Sequence, residues 1–255
     1  MTTRAEDTPP LTGRTALVTG GASGIGAAIA HRLADLGARV TIADVDPAGA
    51  ESVAQEIGGD AWVVDLSDPD ALTGGPGRVD VLINNAGIQR VSPIVDFEPE
   101  IFHKMLMIMV ETPFRLIQSA LPGMYERGFG RIVNISSVHG LRASEFKSAY
   151  VTAKHALEGL SKVTALEGGP HGVTSNCINP GYVRTPLVEK QIADQARIHG
   201  IDESQVVETI MLTHNAIKRL VEPGEVASLV GWLVGPDAAM VNGASYTMDG
   251  GWTAQ

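Results

Sequence analysis

The stretch TALVTGGASGIGAAIAHRLADLG, residues 15–37, decides the fold. Its first part, 15–20, is a short apolar run that ends in glycine and predicts a buried strand. Its second part, 25–37, repeats apolar residues at helical spacing and stops at Gly37, which predicts a helix. A strand, a glycine turn and a helix in this order are typical of a parallel sheet that is covered by helices.

The same alternation continues along the whole chain. Further strands are predicted at 39–46, 61–68, 79–87, 130–137, 173–181 and 244–251. Because these runs are almost continuously apolar and alternate with helical patterns, both faces of the sheet are expected to be covered. The sequence therefore predicts a single-domain α/β fold over 1–255, with a doubly wound (Rossmann) parallel sheet of about seven strands and helices on both faces.

Two segments are expected to lie outside this regular core. Residues 1–10 are polar and proline-bearing and are expected to be flexible. The segment 186–220, between the sixth and seventh strands, is rich in helix formers. Its length predicts an inserted helical flap over the substrate, and simple packing is the alternative.

Composition excludes several classes of partner. The formal net charge of -10 and the pI near 5.1 argue against nucleic acid or an anionic membrane surface. The one cysteine, Cys177, has no disulfide partner in the chain and belongs to no Cys/His cluster, so it is expected to be a buried apolar residue and no metal is predicted. The sequence shows neither a signal peptide nor a run long enough to span a membrane, which predicts a soluble, cytoplasmic protein.

The glycine turn predicts a dinucleotide site. Gly20, Gly24 and Gly26 lie between strand and helix, where a pyrophosphate can approach the backbone and rest on the helix N-terminus. Asp44 ends the second strand, 18 residues after Gly26. Its carboxylate suits the two ribose hydroxyls and repels a 2′-phosphate, so NAD is favoured over NADP.

Residues 136–154 predict the catalytic chemistry. Tyr150 and Lys154 are four residues apart and share one face of a predicted helix. A nearby ammonium group can lower the pKa of tyrosine towards neutrality, which makes the phenol a usable acid and base. Ser137 ends the preceding strand, where its hydroxyl can hold the reacting oxygen. The trio predicts oxidation of an alcohol or reduction of a ketone.

These residues resemble the short-chain dehydrogenase/reductase family. The resemblance covers the chain from about Leu11 to its end and is carried by TGGASGIG, Asp65, NNAG, Ser137, YVTAK and NPG. It implies that Tyr150 is the catalytic acid and base, that Lys154 lowers its pKa, and that Ser137 holds the substrate oxygen. The implied cofactor-binding residues are Gly20, Ser23, Gly24, Ile25, Gly26, Asp44, Asp65, Leu66, Asn85, Ala86, Gly87, Tyr150, Lys154, Pro180, Gly181, Val183 and Thr185.

The resemblance also implies a homotetramer, with the Met-rich helix 102–118 and the C-terminal strand as interfaces; plain core packing is the alternative. Two features depart from the family pattern. Met109 takes the place of a usual asparagine of the proton relay, and the crossover 66–78 is short, with room for barely two turns of helix.

Four further polar residues are candidate substrate ligands. Each has a bland interpretation as a solvated loop residue, but around one serine and one tyrosine they look like donors for a small anion, with Lys147 as the local cation. A narrower resemblance within the family implies that they bind the carboxylate of D-3-hydroxybutyrate. Tyr182 and Trp252 are candidate walls of the small pocket, and a place in the core is the alternative for each. The four are Gln89, His139, Lys147 and Gln191.

Two alternatives remain open at this stage. The first is a related enzyme that acts on another small hydroxy acid, a polyol or an acyl thioester. The second is a non-catalytic NAD-binding protein, which Met109 makes conceivable.

Overall fold

A computed structural model describes residues 8–186, 188, 189, 192, 196 and 200–254. All seven strands are parallel and form one sheet in the order β3-β2-β1-β4-β5-β6-β7. The strands are β1 (Thr15–Thr19), β2 (Arg39–Asp44), β3 (Asp60–Val63), β4 (Val81–Asn84), β5 (Gly130–Ile135), β6 (Val173–Pro180) and β7 (Ser245–Met248). The predicted α/β fold class and the number of strands are confirmed.

Helices cover both faces of this sheet. They are α1 (Gly24–Asp35), α2 (Pro47–Ile57), α3 (Pro99–Leu106), α4 (Thr112–Arg127), α5 (Ser148–Gly168), α6 (Glu203–Val206) and α7 (Pro223–Leu233). Successive strand residues point to opposite faces, so Val18 packs with α1 and α7 while its neighbour Leu17 packs with α4. The sheet is therefore buried from both sides, as its continuous apolar strands predict.

The strand order reverses at the centre of the sheet. The chain runs from β1 outward to β2 and β3, and then returns to add β4 on the other side of β1. The loops that leave β1 and β4 consequently diverge and open a crevice at the carboxyl ends of the strands. This switch point positions the candidate site.

The helix predicted over 102–118 is interrupted. A single π-helical turn, Met107–Glu111, lies between α3 and α4. Pro113 has no N–H to donate to the carbonyl of Met109, so a regular α-helical ladder cannot continue there. Met105 and Met109 are fully buried in the chain's own core. For these two methionines the alternative of plain core packing therefore applies.

The short crossover between β3 and β4 contains a 3-10 helix, Pro69–Gly74, in place of two α-helical turns. Trp62 packs over Gly75 at the end of this turn.

The described part of the predicted flap contains α6 and the π-helical turn Val207–Met211, which are followed by turns and bends over 212–220, and its placement over a substrate stays a prediction. It has a small apolar cluster of its own, with Ile192, Val206 and Leu212 fully buried and Tyr182 packed against them. The predicted flexible segment lies mostly outside the described residues, since 1–7 are not among them. Cys177 is 1% exposed, which confirms the buried position expected for it.

Candidate active site

A cavity of about 430 Å³ lies at the carboxyl ends of the strands, around the switch point. Most residues of the predicted cofactor, catalytic and substrate sets line it. They are Gly20, Ser23, Gly24, Ile25, Asp44, Asp65, Leu66, Asn85, Ala86, Gly87, Gln89, Ser137, His139, Lys147, Tyr150, Gly181, Val183 and Thr185. Gly26, Lys154 and Pro180 do not line the cavity, and Gln191 lies outside the described residues.

The glycine turn has the shape of a cradle for a pyrophosphate. Gly20 and Gly24 adopt φ angles of 64° and 55°, which side chains disfavour. A Cβ atom on Gly26 would collide with the carbonyl oxygen of Gly20, so only glycine permits this turn to close. Ser23, the N-cap residue of α1, makes no side-chain capping hydrogen bond, which leaves the amides of the first helical turn facing the cradle. These residues fit a dinucleotide.

Asn85 holds the glycine turn in place from β4. Its Nδ2 donates to the carbonyl oxygens of Thr19 and Gly20 at 2.9 and 3.0 Å, and its backbone N–H donates to Thr19 Oγ1 at 3.0 Å. The two sides of the switch point are thus tied together by one amide side chain. The sequence pattern assigns Asn85 only to the cofactor, and the structure adds this role in positioning the turn.

Two carboxylates stand at the strand ends on the adenosine side of the predicted site. Asp44 accepts the amide N–H groups of Ala22 at 3.0 Å and Asp46 at 3.1 Å. Asp65 accepts from the backbone and hydroxyl of Ser67, and these hydrogen bonds lower the pKa of Asp65 below its ordinary value. Both groups face the cavity as fixed negative charges.

The predicted catalytic trio lies on α5 and in the loop after β5. Ser137 is 7% exposed, and its hydroxyl oxygen accepts the N–H of His139 at 3.2 Å. Lys154 lies beneath the cavity, where its Nζ donates to the carbonyl oxygen of Ile135 at 2.8 Å and stands 5.5 Å from the centre of the Tyr150 ring. The structure therefore brings all three predicted groups together.

Burial acts on the pKa of both titratable groups of the trio. It raises the pKa of Tyr150 above its ordinary value of 10, and a hydrogen bond with Ser137 opposes this rise. Burial lowers the pKa of Lys154 to about 8, against the opposing influence of Cys177 and Glu158. The lowered tyrosine pKa that the sequence analysis expects from Lys154 therefore stays a prediction.

His139 and Lys147 form a polar wall beside the trio. The His139 ring lies 3.4 Å through Nδ1 from Ser137 Oγ and 3.0 Å through Nε2 from Ser144 Oγ. Lys147 Nζ is 3.5 Å from the same Nε2. An ammonium group only donates, so Nε2 accepts and the imidazole proton belongs on Nδ1, directed at Ser137. Burial first, and then Lys147 and His155, lower the pKa of His139 to about 4, which keeps the ring neutral.

Trp252 closes the cavity on the side of His139. The two rings meet edge to face with centroids 5.4 Å apart, and His214 stacks on the outer side of the indole at 6.3 Å. Asp249 fixes this segment, because its carboxylate accepts the backbone and hydroxyl groups of Thr253 at 2.8 and 2.6 Å. The tryptophan wall expected from the sequence is present at the cavity.

Sequence reasoning missed several apolar residues of the lining. Most of them directly follow or precede a predicted ligand in the chain, and this adjacency could have identified them. They are Val45, Val64, Ile88, Ile108, Val138, Pro186 and Val188.

Among the residues that the structure describes, no group of His, Cys, Asp and Glu side chains is arranged to hold a metal ion. Within the same residues, no helix combines the length and apolar character needed to cross a bilayer.

Comparison with known proteins places the site in a family context. A family model described as enoyl-(acyl carrier protein) reductase matches residues 20–253. The chain is 44% identical to a D-beta-hydroxybutyrate dehydrogenase of Rhizobium meliloti, over 95% of this chain and 99% of that protein. It is 42% identical to a D-beta-hydroxybutyrate dehydrogenase of Cupriavidus necator, over 96% and 100% of the two chains. A D-threitol dehydrogenase of Mycolicibacterium smegmatis is 36% identical over 95% and 94%.

A solved structure shares the architecture. It is described as a putative 2-deoxy-D-gluconate 3-dehydrogenase from Agrobacterium tumefaciens with bound NADP. The TM-score is 0.82 at 30% identity, over 98% of this chain and 100% of that chain.

Proposed function

This chain belongs to the short-chain dehydrogenase/reductase family, and from that premise we propose that it oxidises D-3-hydroxybutyrate to acetoacetate with NAD. The observation that carries the proposal is the cluster of His139 and Lys147 beside Ser137 and Tyr150 in one cavity. Alcohol oxidation alone requires no cation at this place. A cation next to the catalytic hydroxyl groups suits a substrate whose alcohol lies near a carboxylate.

The residues of the chain take complementary parts in this reaction. Lys147 and Gln89 bind the carboxylate and so orient the C3 hydroxyl towards Ser137 and Tyr150. The neutral ring of His139 supports them, because its Nε2 accepts from Lys147 and its Nδ1 faces Ser137. Ser137 donates a hydrogen bond to the C3 oxygen, and the phenolic oxygen of Tyr150 takes up the hydroxyl proton as the C3–H bond breaks. Bound NAD supplies the hydride acceptor. Acetoacetate reduction uses the same groups in reverse.

The choice of NAD rests on Asp44. Its carboxylate is fixed by the amides of Ala22 and Asp46 at the place where the adenosine ribose is expected. A negative charge there disfavours a 2′-phosphate. The structural neighbour with bound NADP makes cofactor preference a point to test, and an Asp44→Ala variant is expected to gain activity with NADP and lose it with NAD.

We extend the proposal to a cytoplasmic homotetramer. A single buried thiol, Cys177, suits a reducing compartment. Exposed apolar side chains on α4 and α5, among them Phe114 and Leu166, suit contacts between subunits.

A substrate panel tests the central proposal. The purified protein is mixed with NAD or NADP and with D-3-hydroxybutyrate, L-3-hydroxybutyrate or D-threitol, and nicotinamide reduction is followed by absorbance. Turnover confined to the D acid with NAD supports the proposal. Faster turnover of D-threitol would favour the polyol alternative that the 36% identical relative suggests. NAD binding without turnover of any alcohol would favour the non-catalytic alternative.

Lys147→Met sharpens this test. It removes the cation but keeps an unbranched apolar stem, and is expected to lower kcat/KM for the acid about 30-fold or more, since a buried charge-assisted pair contributes roughly 2–5 kcal/mol. Lys162→Met, on the exposed face of α5, is the matched control and should leave kcat/KM unchanged. Equal behaviour of the two variants would remove Lys147 from the substrate site.

A further inference from the structure

Glu158 is a buried acid that the reaction described above does not use. It lies one helical turn after Lys154 on α5, so the two side chains share a face of the helix. Glu158 is 5% exposed and Lys154 is 4% exposed. A buried carboxylate is costly unless hydrogen bonds and an opposite charge compensate it. Its surroundings should therefore show what it does.

Both carboxylate oxygens of Glu158 accept hydrogen bonds from the strands beneath α5. Asn179 Nδ2, on β6, donates to Oε1 at 2.5 Å, and Ser245 Oγ, on β7, donates to Oε2 at 2.6 Å. These bonds join the catalytic helix to two neighbouring strands. The carboxylate is thereby held in one orientation.

The same asparagine reaches the catalytic serine. Asn179 Nδ2 also donates to the backbone carbonyl of Ser137 at 3.0 Å. Glu158 therefore fixes Asn179, and Asn179 fixes the backbone that carries the Ser137 hydroxyl. Gly140, in the turn after Ser137, leaves no room for a side chain, because a Cβ there would collide with Ser136 Oγ and would lie 3.1 Å from Glu158 Oε1.

Glu158 also acts on Lys154, which precedes it by one turn of α5. Burial lowers the pKa of Lys154 to about 8, and Cys177 and Glu158 oppose that decrease. Burial raises the pKa of the Cys177 thiol far above neutral, so the thiol stays protonated and adds no charge. Cys177 on β6 and Tyr150 on α5 are the other titratable groups facing the ammonium among the described residues. The Glu158 carboxylate, one helical turn from Lys154 on the same face of α5, then favours the ammonium form of Lys154.

We propose that Glu158 is a positioning residue for the proposed reaction, which keeps Lys154 protonated through its charge and holds Ser137 through Asn179. The inference rests on the proposed function, since Lys154 and Ser137 matter to turnover only if the alcohol is oxidised at this site. It assigns a role to a buried acid that touches neither cavity nor cofactor loop.

Glu158→Gln separates charge from shape. The amide oxygen can still accept from Asn179, while the Ser245 hydroxyl can turn to accept from the new amide group. We expect the fall of kcat/KM at alkaline pH to begin about one to two pH units lower than in the wild type, because a nearby opposite charge shifts a pKa by that order. Glu158→Asp, which keeps the charge, should retain most of the wild-type pH profile of kcat/KM. Glu167→Gln, an exposed acid of the same helix, should leave the profile unchanged.

Asn179→Ala tests the link from Glu158 through Asn179 to Ser137. It also gives an independent test in case Glu158→Gln fails to fold. It keeps the charge of Glu158 but removes the bond to Ser137, so kcat should fall while the alkaline limb stays in place. An unshifted limb in a folded Glu158→Gln protein, or a shifted limb in Asn179→Ala, would overturn the proposal.

A direct measurement keeps this inference distinct from the proposed function. Lysine carrying ¹³C at Cε gives an NMR signal for Lys154, assigned by its loss in Lys154→Arg, and its titration reports the pKa without substrate. A lower Lys154 pKa in Glu158→Gln supports the electrostatic link even if no alcohol is turned over, in which case only the proposed function fails. If the Lys154 pKa is unchanged in Glu158→Gln and the wild-type enzyme is active, the inference is overturned and the proposed function stands.

Discussion

At the scale of single residues, the phenol of Tyr150 is the predicted acid and base of the site. Ser137 and His139 lie close to it, but a serine hydroxyl is a far weaker base and the His139 ring is directed at Ser137. Tyr150→Phe removes one oxygen atom from a partly buried ring and leaves the packing of α5 intact.

Tyr150→Phe is expected to lower kcat by about 10³-fold, within the range for loss of general acid–base catalysis. The Kd of NAD should change by less than about twofold, because the glycine turn and Asp44 are unchanged and the ring of residue 150 keeps its shape. Initial rates and calorimetric titration measure the two quantities. Appreciable residual turnover would mean that another group serves as the base.

His139 makes a second residue-scale prediction, on stability. Its pKa is about 4 in the folded chain, below the ordinary value of 6.5. Between these two values the unfolded chain binds a proton that the folded chain does not. The contribution of His139 to stability is therefore fully present above pH 6.5 and is lost as the pH falls towards 4.

His139→Gln cannot titrate and should escape this loss. The difference in Tm between wild type and variant is expected to favour the wild type most at neutral pH and to shrink steadily below pH 6.5. Calorimetry at several pH values measures it. Parallel Tm curves for the two proteins would contradict the buried, neutral imidazole.

At the scale of elements, two loops carry the polar wall of the site, and one backbone hydrogen bond joins them. Ser92 N–H, after β4, donates to the carbonyl oxygen of Phe146 at 2.9 Å. Phe146 has a φ of 65°, the left-handed region that bulky side chains avoid, and its ring is 50% exposed. The strain is located directly before Lys147, so it helps to set where the ammonium group points.

Phe146→Gly should therefore cost little or raise stability, by up to about 1 kcal/mol in urea unfolding, because glycine adopts this conformation freely. Phe114→Gly is a matched control, since Phe114 is 48% exposed but lies in the regular helix α4. There glycine should lower the free energy of unfolding by about 1 kcal/mol. A similar loss at both positions would argue against strain at Phe146.

The elements also show how far sequence reasoning reaches. All seven strands were predictable because each is an apolar run between helical patterns. Their carboxyl ends were predicted too long, as in 39–46 against Arg39–Asp44, because the last residues leave the ladder to line the cavity. The bond from Ser245 to Glu158 spans 87 residues, and no local pattern specifies such a pairing. For the same reason the local sequence predicts Asn85 as a ligand but not as the tie to Gly20.

At the scale of the whole molecule, apolar side chains remain on one face of α5. Val163 and Leu166, three residues apart, are 53% and 80% exposed. The strand β7 lies at the sheet edge with β6 as its neighbour. Such features suit contacts with other subunits and are expected to be covered in the proposed homotetramer.

Leu166→Glu should weaken that assembly. A charge placed in an apolar contact is expected to lower the mass measured by light scattering at micromolar concentration, while the fold, followed by circular dichroism, is retained. Leu166→Met is the conservative control and should keep the wild-type mass. An unchanged mass in Leu166→Glu would place the subunit contacts elsewhere.

The reversed strand order has a consequence for how quickly a newly made chain becomes competent. The helices form from local contacts, but β1 must pair with β4 across the intervening βα units, and β7 joins the sheet last in sequence. Pairings between distant segments are slow because their loops must close first. A refolding chain would regain helical signal well before activity, and the interval would expose bare apolar strands to aggregation. The demand on chaperones therefore falls on this late docking step, after most of the backbone has folded.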